Sequence, residues 1–136
     1  MRVLFVAGFG PVTQDLDASK RFYAETLGIA LAGQDDYPTT EDLGGVKHFG
    51  IWPLPQAAES CFGTPNWPNE LTRPQGWIEF EVEDVTEAAR ELEGKGYRLL
   101  VAPKTEPWGQ TVARLLGPEG LLVGVTVTPW LRESTS

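Results

Sequence analysis

A chain of 136 residues with 41% hydrophobic and 22% charged residues has the size and composition of one globular domain, 1–136, which excludes a disordered chain and a second large catalytic domain. Eleven Lys and Arg against nineteen Asp and Glu give a charge of −8, which repels phosphate backbones and anionic lipids and argues against nucleic acid and membrane as partners. Cys61 is the single cysteine, so an intrachain disulfide and a multi-thiolate metal site are excluded, and a reducing, cytoplasmic setting is expected.

Residues 3–12 are rich in β-branched and aromatic side chains and read as a buried first strand; Gly8, Gly10 and Pro11 break the pattern of a secretion leader. Asp15 then stands as an N-cap. Leu16, Ser19, Phe22, Tyr23 and Leu27 follow at near-helical spacing, and Gly28 sits where a C-terminal cap belongs. Extended pieces are expected at 29–32 and 46–52, separated by a turn-rich 33–45. A loop with Pro65, Pro68 and Pro74 fills 56–75, just after Pro55.

The pattern then repeats. Residues 77–83 alternate strictly, with Ile78, Phe80 and Val82 on one face and Trp77, Glu79, Glu81 and Glu83 on the other. Asp84 caps a helix whose Val85, Ala88, Ala89 and Leu92 form one apolar stripe, and Gly96 ends it. Strands are expected at 97–102, 108–116 and 121–128, the last two joined by the tight turn Gly117-Pro118-Glu119-Gly120. Setting Asp15 against Asp84 aligns the two halves at an offset of about 69 residues. The expected architecture is α+β: two βαβββ modules, about 1–55 and 76–130, whose strands form one curved mixed sheet around a cleft. Ser134, Thr135 and Ser136 make a polar end expected to fray.

Two segments carry a family resemblance. Asp15-Leu16-Asp17-Ala18-Ser19-Lys20-Arg21-Phe22-Tyr23-Ala24-Glu25-Thr26-Leu27-Gly28 resembles the D-x-x-x-S-x-x-F-Y-x-x-x-L-G helix of the vicinal oxygen chelate superfamily, which contains glyoxalase I, extradiol dioxygenases, and bleomycin and fosfomycin resistance proteins. Gly117-Pro118-Glu119-Gly120-Leu121-Leu122-Val123 resembles its D-P-x-G hairpin, with Gly117 in place of the usual Asp. The resemblance implies the glyoxalase/bleomycin resistance fold. It also implies four cleft-facing positions that in the family's metalloenzymes hold two His and two Glu around a divalent ion with open coordination sites. Three of those positions are Gly8, Trp77 and Gly124 here; the fourth lies between His48 and Trp52, where only His48 could bind metal. One imidazole does not hold a divalent ion against water, so no metal, no cofactor and no catalytic residue is assigned.

What the replacements leave is expected to be open space at Gly8 and Gly124 beside an aromatic wall of Trp77, with Trp52 and Trp108 adding stacking surface. Pro107-Trp108-Gly109-Gln110 resembles a P-W-G segment of the bleomycin-resistance branch, whose members bind their drug without metal. The expectation is therefore a metal-free homodimer that sequesters a small aromatic or apolar molecule. In it, Glu79 offers charge to a cationic ligand, and His48 or Gln110 offers a hydrogen bond. The competing expectation is a glyoxalase- or dioxygenase-like enzyme with a non-standard metal set of His48, Glu79 and Glu81, or a metal-independent acid–base enzyme using His48 or Glu79. No P-loop, G-x-G-x-x-G, H-E-x-x-H or G-x-S-x-G motif occurs, which sets aside nucleotide, zincin and serine-hydrolase chemistry.

Overall fold

The computed structural model describes residues 1–34 and 36–133; Ser134 to Ser136, where the frayed end was expected, lie outside them. The first half runs β1 (Val3–Thr13), α1 (Leu16–Lys20) with a π-helical continuation (Arg21–Thr26), β2 (Ala32–Gln34), β3 (Tyr37–Thr40), β4 (Phe49–Gly50) and β5 (Trp52–Pro53). After α2 (Leu54–Phe62) the second half runs β6 (Gly76–Val82), α3 (Val85–Gly94), β7 (Val101–Thr105), β8 (Thr111–Leu116), β9 (Leu122–Val127) and α4 (Pro129–Glu133). The nine strands form one open, curved, mixed sheet in the order β2-β3-β4-β1-β6-β9-β8-β7, with β5 also paired to β1. The expected α+β architecture of two βαβββ halves is what the chain adopts. β4 and β5 continue one register on β1, Phe9 opposite Phe49 and Val12 opposite Trp52, so they are a single run interrupted at Ile51.

Both expected helix caps form. The Asp15 carboxylate accepts from the Ala18 N–H at 3.1 Å, and the Asp84 carboxylate accepts from the Glu87 N–H at 3.0 Å. α3 buries Val85, Ala88 and Ala89 against Val82, Ala113 and Val125 of the sheet, with Leu92 at the margin, as its stripe predicts. A fully buried valine contributes about 1.5–3 kcal/mol, so this contact anchors the second half. α1 and its π-helical continuation behave differently, because neither buries a residue fully and Phe22 and Leu27 stay exposed. Among the described residues, no helix is long and apolar enough to cross a membrane.

Several local expectations fail for identifiable reasons. The segment expected as loop opens with α2, because Pro55 sits in the first turn, where its missing N–H costs nothing, and Gly63 caps the exit at φ 73°. Leu54, Ala57 and Ala58 of α2 join Val12, Trp67, Trp77 and Leu122 in the main apolar cluster. The turn-rich 33–45 contains β3, whose Pro38 carbonyl accepts from the Ile51 N–H at 3.0 Å. Of 29–32 only Ala32 is in a strand, and 97–102 becomes extended only at Val101. The expected strand 108–116 starts at Thr111, leaving Trp108 in the turn that Gly109 closes at φ 96°. Finally, Glu81 is fully buried, where the alternation of β6 would set it with Glu79 toward a cleft or solvent.

Candidate ligand-binding site

A cavity of about 450 Å³ lies against the sheet, and its walls come from both halves of the chain, from Ala7 of β1 to Leu131 of α4. Trp77, Glu79, Trp108, Trp52, His48 and Gln110 all line it. Gly8 and Gly124 stand beneath the lining rather than in it. Arg114, Tyr37, Gln56 and Trp130 line it as well and were not singled out from the sequence.

Sheet register explains the polar floor. Glu79 on β6 is directly opposite Gly8 on β1 and Gly124 on β9, and Gly124 is in turn opposite Arg114 on β8. Glu79 and Arg114 therefore flank Gly124 on adjacent strands, and they join across it: Arg114 Nη1 donates to Glu79 Oε2 at 2.7 Å. Their side chains are 3% (Arg114) and 14% (Glu79) exposed, so the pair is desolvated. A Cβ added at Gly124 would meet Glu79 Cγ at 3.0 Å and Arg114 Nη1 at 3.5 Å. The glycine makes room for the ion pair, which corrects the expectation of open space at that position.

The same correction applies at Gly8. A Cβ there would lie 2.7 Å from the Trp77 ring, so the indole already occupies the volume. Trp77 Nε1 donates to the Gly50 carbonyl at 3.0 Å, which fixes the ring over β1 and leaves the residue only 2% exposed. Trp52 meets it edge-on, with centroids 6.1 Å apart at 78°, and the Arg114 guanidinium lies over the Trp52 ring at 5.0 Å. The space available to a ligand is thus in front of Trp77 and Arg114. Trp108 and Trp130, both exposed, stand at the cavity's outer edge.

Gln110 ties the floor to that edge. Its Nε2 donates to Glu79 Oε1 and to Thr126 Oγ1, each at 2.9 Å, while its Oε1 accepts from Trp108 Nε1 at 2.9 Å. α4 is held from below: Glu81 Oε2 accepts from the Thr128 N–H at 2.7 Å and from Arg132 Nε at 2.8 Å, and Arg132 Nη2 also donates to the Val82 carbonyl. That latch brings Trp130 and Leu131 to the cavity wall.

On the opposite wall Tyr37 Oη and His48 Nε2 are 3.1 Å apart. Burial pushes the Tyr37 hydroxyl well above its ordinary range, helped by the Glu79 charge, and burial lowers the His48 imidazole below its ordinary 6.5. A protonated phenol and a neutral imidazole share this hydrogen bond in either tautomer of the ring. A consequence for stability follows with definite sign. Above pH 6.5 the imidazole is neutral folded and unfolded; below it the unfolded chain binds the proton first, so stability falls until the native His48 also protonates. Urea unfolding between pH 7.5 and 5.5 should show a smaller loss for His48→Gln than for the parent, and equal losses would refute this assignment.

The residues present do not fit a divalent ion. Gly8 and Gly124 have no side-chain donor atoms, Glu79 is committed to Arg114 and Gln110, and Glu81 serves α4 rather than the cavity. Among the described residues no three His, Cys, Asp or Glu gather as a metal site would need. The set His48, Glu79 and Glu81 is accordingly not assembled.

A family model for the Glyoxalase/Bleomycin resistance protein/Dioxygenase superfamily matches residues 9–125. No curated protein matches the chain in sequence. Among solved structures, a glyoxalase/bleomycin resistance protein/dioxygenase superfamily member from Vibrio splendidus 12B01 is similar at TM-score 0.60 and 14% identity, over 89% of this chain and 96% of that one. Methylmalonyl-CoA epimerase of Streptomyces coelicolor, in complex with 2-nitronate-propionyl-CoA, is similar at TM-score 0.55 and 22% identity, over 94% of this chain and 99% of that one. A Legionella pneumophila structure described as an NAD-dependent benzaldehyde dehydrogenase is similar at TM-score 0.56 and 14% identity, over 88% of this chain and 96% of that one. At these identities the likeness is one of fold.

Proposed function

Because the chain belongs to the glyoxalase/bleomycin resistance protein/dioxygenase superfamily, we propose that it uses the cleft of that fold to sequester a flat, largely apolar small molecule without a metal ion. The observation that carries this reading is the row Gly8, Glu79, Gly124, Arg114. Where a metalloenzyme needs free donors, this row holds two glycines and a carboxylate committed to Arg114. Four indoles surround the remaining space, from Trp52, Trp77, Trp108 and Trp130, and large aromatic walls favour stacking of a planar guest. Sequestration needs affinity and no chemistry, which suits a site where Glu79 is bonded to Arg114 and His48 to Tyr37.

Tryptophan emission should shift or be quenched when a panel of planar aromatic compounds is titrated in, and Trp52→Ala should weaken the best binder about tenfold or more. A panel that leaves the emission unchanged refutes the aromatic cleft. Stoichiometric divalent metal in protein purified without chelator, lost in His48→Ala, refutes the metal-free reading.

The proposal includes a second copy of the chain and a reducing cytoplasm, in keeping with lone Cys61, whose thiol burial pushes up. Phe9, Phe49, Tyr23 and Phe22 form a continuous aromatic string on the first half, and its ends Phe9 and Phe22 are 45% and 51% exposed. Light scattering should give a dimer for the parent and a monomer for Phe22→Glu; a parent that is monomeric at all concentrations refutes the pairing.

A further inference from the structure

The buried guanidinium of Arg114 is poorly satisfied. Among the described residues its one hydrogen-bond acceptor is Glu79, reached through Nη1, and Nε is enclosed with no partner at all. A guanidinium carries five N–H donors in a fixed plane; with Nη1 on Glu79 and Nε sealed from solvent, the donors left for a ligand are those of Nη2. Leaving such donors bare in a side chain only 3% exposed is costly, and a native structure keeps that arrangement where something else supplies the acceptor. Arg114 lines the cavity, with its flat face on Trp52.

Charge decides what kind of acceptor. Glu79 already neutralises Arg114 and Glu41 also lines the cavity, so a carboxylate on the ligand would add an anion beside these two around one buried cation, and an ammonium has no lone pair with which to accept from the guanidinium. A neutral oxygen adds no net charge and still accepts from Nη2. Resting on the aromatic-cleft reading, we infer that the ligand class is a neutral planar aromatic carrying a carbonyl oxygen, such as an aryl ketone or a quinone, with that oxygen accepting from Nη2 of Arg114.

Equilibrium dialysis of the full chain against naphthalenes of similar outline separates the possibilities: acetonaphthone (neutral carbonyl), ethylnaphthalene (no acceptor), naphthoate (anion) and naphthylmethylammonium (cation). Acetonaphthone is expected to bind about tenfold tighter than the other three. Arg114→Lys keeps the charge opposite Glu79 but lacks the planar guanidinium and its Nη2 donors, and should shrink that advantage to about twofold or less. Should that variant fail to fold, the parent protein still provides a test: the carbonyl stretch of bound acetonaphthone must move to lower wavenumber than in hydrocarbon solvent. An unshifted stretch overturns the inference. Equal binding of ethylnaphthalene also overturns it while leaving the aromatic cleft standing, because Arg114 is then satisfied by water. Tightest binding of naphthoate or the ammonium overturns the neutral-oxygen assignment. If none of the four binds, the aromatic-cleft reading falls with it.

Discussion

Arg114→Met is expected to cost about 3–5 kcal/mol of folding stability, while the double variant Glu79→Gln/Arg114→Met should recover most of that loss. The reasoning follows from burial. Removing Arg114 strands the Glu79 carboxylate at 14% exposure with Gln110 Nε2 as its remaining donor, and an uncompensated charge in that setting loses far more solvation than one amide returns. Replacing both charges removes the problem: the amide introduced at position 79 would keep an oxygen for Gln110, and the thioether introduced at position 114 would fill volume beside Trp52 without needing hydrogen bonds. Urea unfolding of the two single variants and the double variant measures the coupling. If the double variant is as unstable as Arg114→Met alone, the pair is not the unit described here.

Gly10→Ala should be the most damaging single methyl group in the chain, at about 3 kcal/mol or more. Its Cβ would lie 1.9 Å from the Gly50 carbonyl oxygen and 2.9 Å from the Gly50 carbonyl carbon, and both are backbone atoms of the neighbouring parallel strand. Side chains can rotate away from an intruding methyl; β4 can retreat only by breaking its pairing with β1 and releasing the carbonyl that holds Trp77 Nε1. Gly124→Ala offers the contrast. There the obstruction is Glu79 Cγ at 3.0 Å, part of a flexible side chain, so the loss should be smaller and should come with weakened Glu79–Arg114 pairing. Thermal melts of the two variants give the order, and a melting point for Gly10→Ala at or above that of Gly124→Ala contradicts it.

Much of the architecture is legible because its signals are local. Asp15 and Asp84 each cap a helix three residues before the backbone N–H they bind, and the apolar stripe of α3 is written at helical spacing. The aromatic lining was legible too, since Trp52, Trp77 and Trp108 are rare residues beside strand patterns and all three reach the cavity. Arg114 was not. It lies in Thr111–Leu116 between Ala113 and Leu115, and a basic residue in such a run reads as a solvent-facing interruption. Only the register across three strands joins it to Glu79, and no local pattern encodes a pairing over that separation. Its signal was the glycine between them, since Gly124 in an otherwise β-branched strand marks a close approach. The occupants of that approach are a property of the sheet. α2 was hidden for a different reason: a proline at the start of a helix and one that breaks a helix look alike until the first turn is placed.

The latch that seats α4 has a consequence for biosynthesis. Glu81 sits on β6, but the groups that bind its Oε2, Thr128 and Arg132, are made 47 and 51 residues later. While those residues are still inside the ribosomal tunnel, the nascent chain carries a buried-to-be carboxylate with no counter-charge and a chamber lacking the wall of Trp130 and Leu131. Under the proposed function, guest capture would wait until that segment has emerged, and a truncation ending before Pro129 would leave the chamber without the wall of Trp130 and Leu131.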